Sequence, residues 1–252
     1  MSKIKENWEY YGKNDPYFAV ATFDKFKKAN LTEKAKDEFF QTGEEHIEKV
    51  WSEIEKHFIK NFRPKRSLDF GCGVGRLVVP LAERCEAVVG VDISETMLKE
   101  AVENCRARKI ENVSFFQTDD FFGGETGEFD LIHSFIVLQH IKPAIGGELV
   151  RKMLKMLGSG GIGVLHFTYF NPASKFNYLR FKIYRDYPVI NRLKNLVKGE
   201  KDEPFIPVYI YDLNAVFADL QENDCHSCLI RYSFHGFNGA VIFFQKKRTI
   251  DF

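Results

Sequence analysis

Residues 68–82 read LDFGCGVGRLVVPLA. A short apolar run meets three glycines at alternate positions, Gly71, Gly73 and Gly75, and an apolar run resumes at once. Glycine loses more freedom on ordering than any other residue, so three in this spacing mark a place where bare backbone is needed. A buried strand that turns sharply into a helix has that need. The rest of the fold must be built around such a turn.

The residues that follow fit one. From Ser67 onward, the short apolar runs SLDF, AVVGVD, VSFFQ, DLIHSF and GIGVLHF read as buried strands. Helical stretches separate them, among them SETMLKEAVENCRARK with Ser94 as N-cap. Strand and helix in turn predict βαβ units and a parallel sheet covered on both faces. Ahead of them, a helical segment around Glu33 to Phe40 precedes a stronger one, in which Ile47, Val50, Trp51, Ile54 and Phe58 share one face and Pro64 is the terminator. Beyond Phe167 the rhythm breaks. A helix over roughly Asp212 to Glu222 then leads into CLIRYSFHG and NGAVIFFQKK, whose short separation predicts a hairpin and an antiparallel end to the sheet. The predicted organisation is an N-terminal helical lid segment (1–66), an α/β core (67–167), an insertion (168–211), and a helix and hairpin that complete the sheet (212–252).

Composition narrows the class. The chain has 252 residues, enough for a large α/β core, and 36 Lys and Arg against 35 Asp and Glu. No broad field therefore favours nucleic acid, so DNA is not expected as a partner and RNA is disfavoured. No apolar run reaches the roughly 18 residues of a membrane span, and the first residues lack the apolar core of a signal peptide. Five scattered cysteines fit a reducing compartment, so the expectation is a soluble cytoplasmic protein of unassigned oligomeric state. CHSC at 225–228 lacks a second ligand pair at finger-like spacing, and no metal site is expected.

The glycines leave two ligand classes open. A dinucleotide loop reads G-x-G-x-x-G, whereas here the spacing is G-x-G-x-G and Arg76 stands at the third glycine's place. Acidic residues cluster at the strand ends: Asp69 in the first strand, Asp92 closing the second, and Asp119 and Asp120 after the third. Carboxyl ends of parallel strands are where open α/β sheets bind ligands. Carboxylates there can accept from a ribose diol or an adenine amine. No cluster of bases awaits a pyrophosphate.

With LDFGCGVGR, VVGVDIS, FFQTDDFF and FDLIHSFIVLQHI in order, residues 67–167 closely resemble the class I S-adenosylmethionine-dependent methyltransferases of small-molecule type. The resemblance implies a Rossmann-like sheet, mostly parallel with an antiparallel C-terminal hairpin and helices on both faces. It implies S-adenosylmethionine as cofactor and S-adenosylhomocysteine as product. Gly71, Gly73 and Gly75 would approach the methionine part, with Asp69 beside them. Asp92 would hold the ribose, with Ile93 and Met97 near the adenine. Asp119, with Asp120 beside it, would take the adenine amine, and Phe121 would cover the ring. Phe135 would offer its backbone to the amino group, with His140 nearby.

The cofactor's methyl is already activated, so the protein mainly aligns and dries the reactants, and an acidic acceptor O–H or N–H also needs a base. The candidates are His166, at the end of the fifth strand, His140, and His235 in the last hairpin, with Tyr169 to orient an acceptor. Tyr11 and Tyr17 in the N-terminal lid, Arg180 in the insertion and His235 in the hairpin are the candidate substrate contacts. The FFQTG stretch, Phe39 to Gly43, is similar to a segment that meets the methionine carboxylate in some relatives. The insertion sets Lys175, Arg180, Lys182, Arg185, Arg192, Lys194 and Lys198 among aromatic and aliphatic residues. Three readings stay open for it: a cationic lid over an anionic metabolite, a basic amphipathic helix on a membrane, or a solvated helix face. The leading expectation is methyl transfer to an O or N of a small, phosphorylated or sugar-linked metabolite. A lipid or RNA acceptor, a non-catalytic cofactor-binding protein and an NAD-dependent oxidoreductase are the alternatives.

Overall fold

The computed structural model describes residues 2–124, 127–173, 175–198 and 203–248. Three helices come first: α1 (Ser2–Asn14), α2 (Pro16–Val20) and α3 (Glu33–His57). Sequence patterning splits the third into two segments and carries it towards Pro64. The chain instead forms one helix of 25 residues that ends at His57. Thr32 caps it, with Oγ1 accepting from Ala35 N–H. The buried stripe runs through Phe39, Gly43, Ile47, Val50 and Ile54 without a break. Gly43 hides that continuity in the sequence, since no apolar side chain marks the position. A Cβ there would collide with the Arg76 carbonyl, so glycine lets α3 lie against the loop after the first strand.

The alternating segment follows the expected order: β1 (Arg66–Phe70), α4 (Val78–Ala82), β2 (Ala87–Asp92), α5 (Glu95–Ala107), β3 (Val113–Gln117), α6 (Thr118–Gly124), β4 (Phe129–Ser134), α7 (Pro143–Met156) and β5 (Leu157–Phe170). Helices α8 (Lys175–Asp186) and α9 (Pro188–Lys198), α10 (Leu213–Glu222), β6 (Ser227–Phe234) and β7 (Asn238–Gln245) complete the chain. The strands form one sheet in the order β3-β2-β1-β4-β5-β7-β6. β1 to β5 run parallel, and β7 lies antiparallel between β5 and β6. The fold is thus the mostly parallel, Rossmann-like α/β sheet with the antiparallel hairpin that the sequence implies.

Successive strand residues face opposite layers, as pleating requires. Leu131, Ile162 and Val164 pack beneath α3, α4 and α5, whereas Leu68, Val91, Ile132 and Leu165 pack beneath α6, α7 and α10. The strand order reverses between β1 and β4, and such a switch point opens a crevice at the carboxyl ends of the strands. The glycine loop leaves β1 there, and Phe135 to His140 leave β4 on its other side. Cys225 is buried at the end of α10 while Cys228 is exposed on β6.

Candidate functional site

The glycine turn is held by backbone. Gly71 N–H and Cys72 N–H both donate to the Val91 carbonyl of β2, at 2.7 and 3.0 Å. Gly71, Gly73 and Gly75 have φ of 79°, 53° and 86°, in the left-handed region that side chains resist. Ile136 is also there, at φ 60°, which is costly for a β-branched residue and turns the chain after β4 back towards the loop. The result is a close approach: a Cβ on Gly71 would overlap the Val137 side chain.

Between these loops lies a cavity of about 1130 Å³ of empty space counted out to its mouth. Asp69, Gly71, Gly73, Arg76, Asp92, Ile93, Met97, Thr118, Phe135 and His140 are among its walls. Ile4 and Trp8 of α1, with Ala19 and Val20 of α2, cover it. The cover is latched. Glu9 accepts from the Ser94 hydroxyl at 2.7 Å and from the Thr96 hydroxyl, at the N-terminus of α5, where a carboxylate is favoured. Ser94 meanwhile caps α5 by accepting from Met97 N–H at 3.2 Å. A Cβ on Gly12 would come within 2.9 Å of Ser94 Oγ, so α1 needs glycine there to seat.

Asp92 sits between both loops. Its Oδ2 accepts from Gly73 N–H and its Oδ1 from Ser94 N–H, each at 2.9 Å. Burial raises its carboxyl to about 6, partly offset by those bonds. A carboxylate has about four lone-pair sites, so acceptor capacity remains for a ligand hydroxyl.

Other residues singled out from the sequence lie elsewhere. Asp119 and Asp120 are exposed in the first turn of α6, where they complement the helix dipole, and Thr118 takes their place on the cavity wall. Because α6 starts directly after β3, the next helical position turns inward, and Phe121 is core, 1% exposed and packed on Phe122 and Phe129. Gly75 is not among the wall residues; it faces Ala101 of α5. Tyr17 is buried with its hydroxyl donating to Glu100 at 2.6 Å, and Tyr11 donates to the Pro204 carbonyl at 2.7 Å. Both hold the cover in place and neither lines the cavity. Arg180 is exposed on α8, and the side chains of Lys175, Arg185, Arg192 and Lys198 lie outside the described residues.

His140, His166 and the expected acceptor-orienting Tyr169 differ sharply. His140 lines the cavity, yet its Nδ1–H donates to the Pro207 carbonyl at 2.7 Å. Its Nε2 must then accept, and it takes the Gln139 amide at 3.1 Å. Burial lowers it to about 4, so it is neutral and fully engaged. His166 is 1% exposed, bonded through Nε2 to the Ser233 hydroxyl at 2.8 Å, and lowered to about 3 chiefly by burial. Its Nδ1 has no partner. Tyr169 packs beside Tyr232, away from the cavity.

Sequence reasoning singled out Asp69 but passed over the two histidines it connects to, the buried His133 and the half-buried His46. Asp69 and His133 are register partners on β1 and β4, and His133 Nδ1 lies 2.9 Å from Asp69 Oδ1. His133 Nε2 then meets His46 Nε2 of α3 at 3.1 Å. A carboxylate accepts only, which makes His133 Nδ1 the donor. A proton on His46 Nε2 donated to His133 Nε2 leaves the free lone pair on His46 Nδ1. Burial and neighbouring positive groups hold His46 well below the usual histidine range. The His46 ring lies 4.1 Å from that of Phe135, itself a cavity wall and 5.2 and 5.7 Å from the rings of His166 and His235. Arg76 was passed over too. It is a cavity wall, its Nη1 donates to Thr42 of the FFQTG stretch at 3.3 Å, and its buried Nε has no partner.

Comparison with known proteins bears on the core domain and the fold. Residues 68–161 match the methyltransferase domain family. Thiocyanate methyltransferase 1 of Brassica oleracea is 35% identical over 97 residues, 38% of this chain and 43% of that protein. The 23S rRNA (uracil(1939)-C(5))-methyltransferase of Marinomonas sp. (strain MWYL1) is 46% identical over 52 residues, 21% of this chain. The match spans only 12% of that relative's length. Among solved structures, magnesium protoporphyrin IX methyltransferase from Synechocystis PCC 6803 with bound S-adenosylhomocysteine superposes with a TM-score of 0.59 at 19% identity, covering 92% of this chain and 98% of that one. The N-methyltransferase NodS of Bradyrhizobium japonicum gives 0.53 at 14% identity, covering 95% and 98%. Residues 68–161 thus carry a methyltransferase domain, on a sheet whose fold matches that of class I S-adenosylmethionine-dependent methyltransferases.

Proposed function

We propose that this protein transfers the methyl group of S-adenosylmethionine to an oxygen or nitrogen of a small metabolite. The observation that carries the reading is a pair of buried, unpartnered atoms on one cavity wall, Asp69 Oδ2 and Arg76 Nε. A buried polar atom without a partner costs roughly 1–3 kcal/mol, so both favour a ligand that satisfies them. An amino-acid zwitterion does so, with its ammonium to Asp69 and its carboxylate to Arg76. Asp92 would then take the ribose hydroxyls, and Ile93, Met97 and Thr118 would surround the base. Asp119 and Phe121 have no part in this version of the site.

When bound, S-adenosylmethionine supplies a sulfonium-activated methyl. The chain's own residues then have three tasks: α1 and α2 exclude water, the glycine loop fixes position, and one base takes the acceptor's proton. His46 suits the last task, because Asp69 and His133 fix its tautomer, its Nδ1 is free to receive that proton, and its ring packs on Phe135 of the cavity wall. The rings of His166 and His235 pack on the same Phe135. An RNA acceptor has little support, since the RNA methyltransferase matches cover small fractions of those proteins and net charge is +1. A lipid-borne acceptor is a second reading, favoured by the apolar stripe on α9.

Isothermal calorimetry with S-adenosylhomocysteine and NAD in parallel tests the cofactor. Micromolar binding of the first alone is expected, and binding of NAD alone would overturn the reading. Substituting His46→Phe should lower transfer of labelled methyl into a metabolite pool by about 10²- to 10⁴-fold while leaving S-adenosylhomocysteine affinity within about twofold. Unchanged turnover would remove His46 from the chemistry.

A further inference from the structure

Residues 175–198 hold seven of the 36 Lys and Arg residues but only one of the 35 Asp and Glu, Asp186. The segment therefore carries a net charge of +6, while the other 228 residues carry −5. Charge this concentrated is not a general solubility feature. It coincides with unburied apolar surface. On α9, Val189, Ile190, Leu193, Leu196 and Val197 are 68, 41, 56, 77 and 87% exposed. They fall at i, i+1, i+4, i+7 and i+8, a single stripe along the helix. Leu179 of α8 and Tyr187 between the two helices are also exposed.

Helix α9 packs on α8, where Lys194 lies over the Tyr184 ring, and its apolar stripe faces away from the protein. An 11-residue helix is about 16 Å long, too short to cross a bilayer, and marginal in water when its apolar face stays wet. No helix among the described residues is long and apolar enough to span a membrane. The physical match is a surface that is apolar a few ångströms down and anionic above.

We propose that α8 and α9 dock this protein on an anionic lipid surface, with the α9 stripe in the acyl boundary and the segment's net charge of +6 attracted to the headgroup phosphates. A second copy of the chain fits less well, because two segments of +6 would face each other across a two-fold axis. Nucleic acid would match the charge but leave five apolar side chains wet.

The docking element connects to the cavity's cover. Phe181 of α8 packs on Phe205 and Phe237, at 5.2 and 5.7 Å. The backbone carbonyls of Pro204 and Phe205 accept from Tyr11 and Asn7 of α1, the helix that carries Ile4 and Trp8 over the cavity. Phe170 and Phe234, both exposed, pair with Asn238 from opposite sides and extend the apolar surface at this end of the sheet. A protein docked in this way would have its cover beside the bilayer.

The test is co-sedimentation of the full chain with vesicles of phosphatidylcholine alone and with about one third phosphatidylglycerol added. Binding to the anionic vesicles should be at least tenfold tighter and should weaken as salt is raised. The triple variant Leu193→Glu/Leu196→Glu/Val197→Glu should lose at least tenfold in vesicle binding while keeping its S-adenosylhomocysteine affinity and melting temperature. Should that variant fail to fold, Leu196→Asn/Val197→Asn at the two most exposed positions gives the same readout. Equal binding to neutral and anionic vesicles, no binding to either, or an unaffected folded variant would each overturn the proposal. So would light scattering that shows a dimer which these substitutions dissociate. The cofactor reading is measured separately and stands or falls without this result.

Discussion

Gly73→Val is expected to abolish S-adenosylhomocysteine binding, a loss of more than about 100-fold by calorimetry. Three effects act together. The backbone at φ 53° disfavours any side chain, by roughly 1–2 kcal/mol. A Cβ there would stand 2.6 Å from Val20 Cγ2, so the cover must lift before the branched side chain fits. The γ-methyls would then occupy cavity space, and ligand and side chain exclude each other. Moving the loop to relieve this would also strain the Gly73 N–H bond to Asp92. Gly123→Ala is the matched control, because a Cβ there meets nothing within 4 Å and alanine suits a helix. It should bind as wild type. A Gly73→Val protein that still bound normally would put the cofactor in a different place.

The second large effect is at Asp92. On the proposed site, Asp92→Ala should weaken S-adenosylhomocysteine binding at least tenfold, since the ribose hydroxyls would lose their acceptor and Gly73 and Ser94 N–H would lose theirs. The wild-type protein carries its own pH signature. The Asp92 carboxyl rises from 3.8 to about 6 on folding, mainly through burial. A raised acid pKa means that its protonated form is the one the fold prefers. The stability it contributes is fully present below pH 3.8 and is lost as pH rises through about 6. Ligand binding needs the opposite state, an ionised carboxylate that accepts. Affinity should therefore be constant from pH 8 to 7 and decline as pH falls through about 6, while Asp92→Ala stays flat. A wild-type profile without that decline, or a variant with wild-type affinity, would remove Asp92 from the ribose.

The fold and several walls of the cavity were legible because their signals are local. Five apolar runs, three glycines and Asp92 each announce themselves within a few residues, and strand ends at a switch point bring them together automatically. The N-terminal cover was legible only in outline. Tyr11 and Tyr17 read as substrate contacts because aromatic residues in a lid suggest one, yet their hydroxyls secure the lid to Pro204 and Glu100. Asp119 and Phe121 misled for a different reason. The junction of β3 and α6 has no linker residue, and the change from a period of 2 to 3.6 reassigns inside and outside one position later than a strand reading expects.

What the linear pattern decided, then, is the parallel sheet, its hairpin ending and the bare loop after β1, because pleat periodicity and the cost of glycine act over neighbouring residues. Tertiary structure alone decided which polar groups meet. Asp69 and His133 are 64 positions apart and become partners through the parallel register of β1 and β4. His46 joins them because Gly43 lets α3 settle against the Arg76 carbonyl. Arg76 has an unpartnered donor only because that packing buries it. Contacts of this kind depend on long-range register and close packing, and no short stretch of sequence contains either.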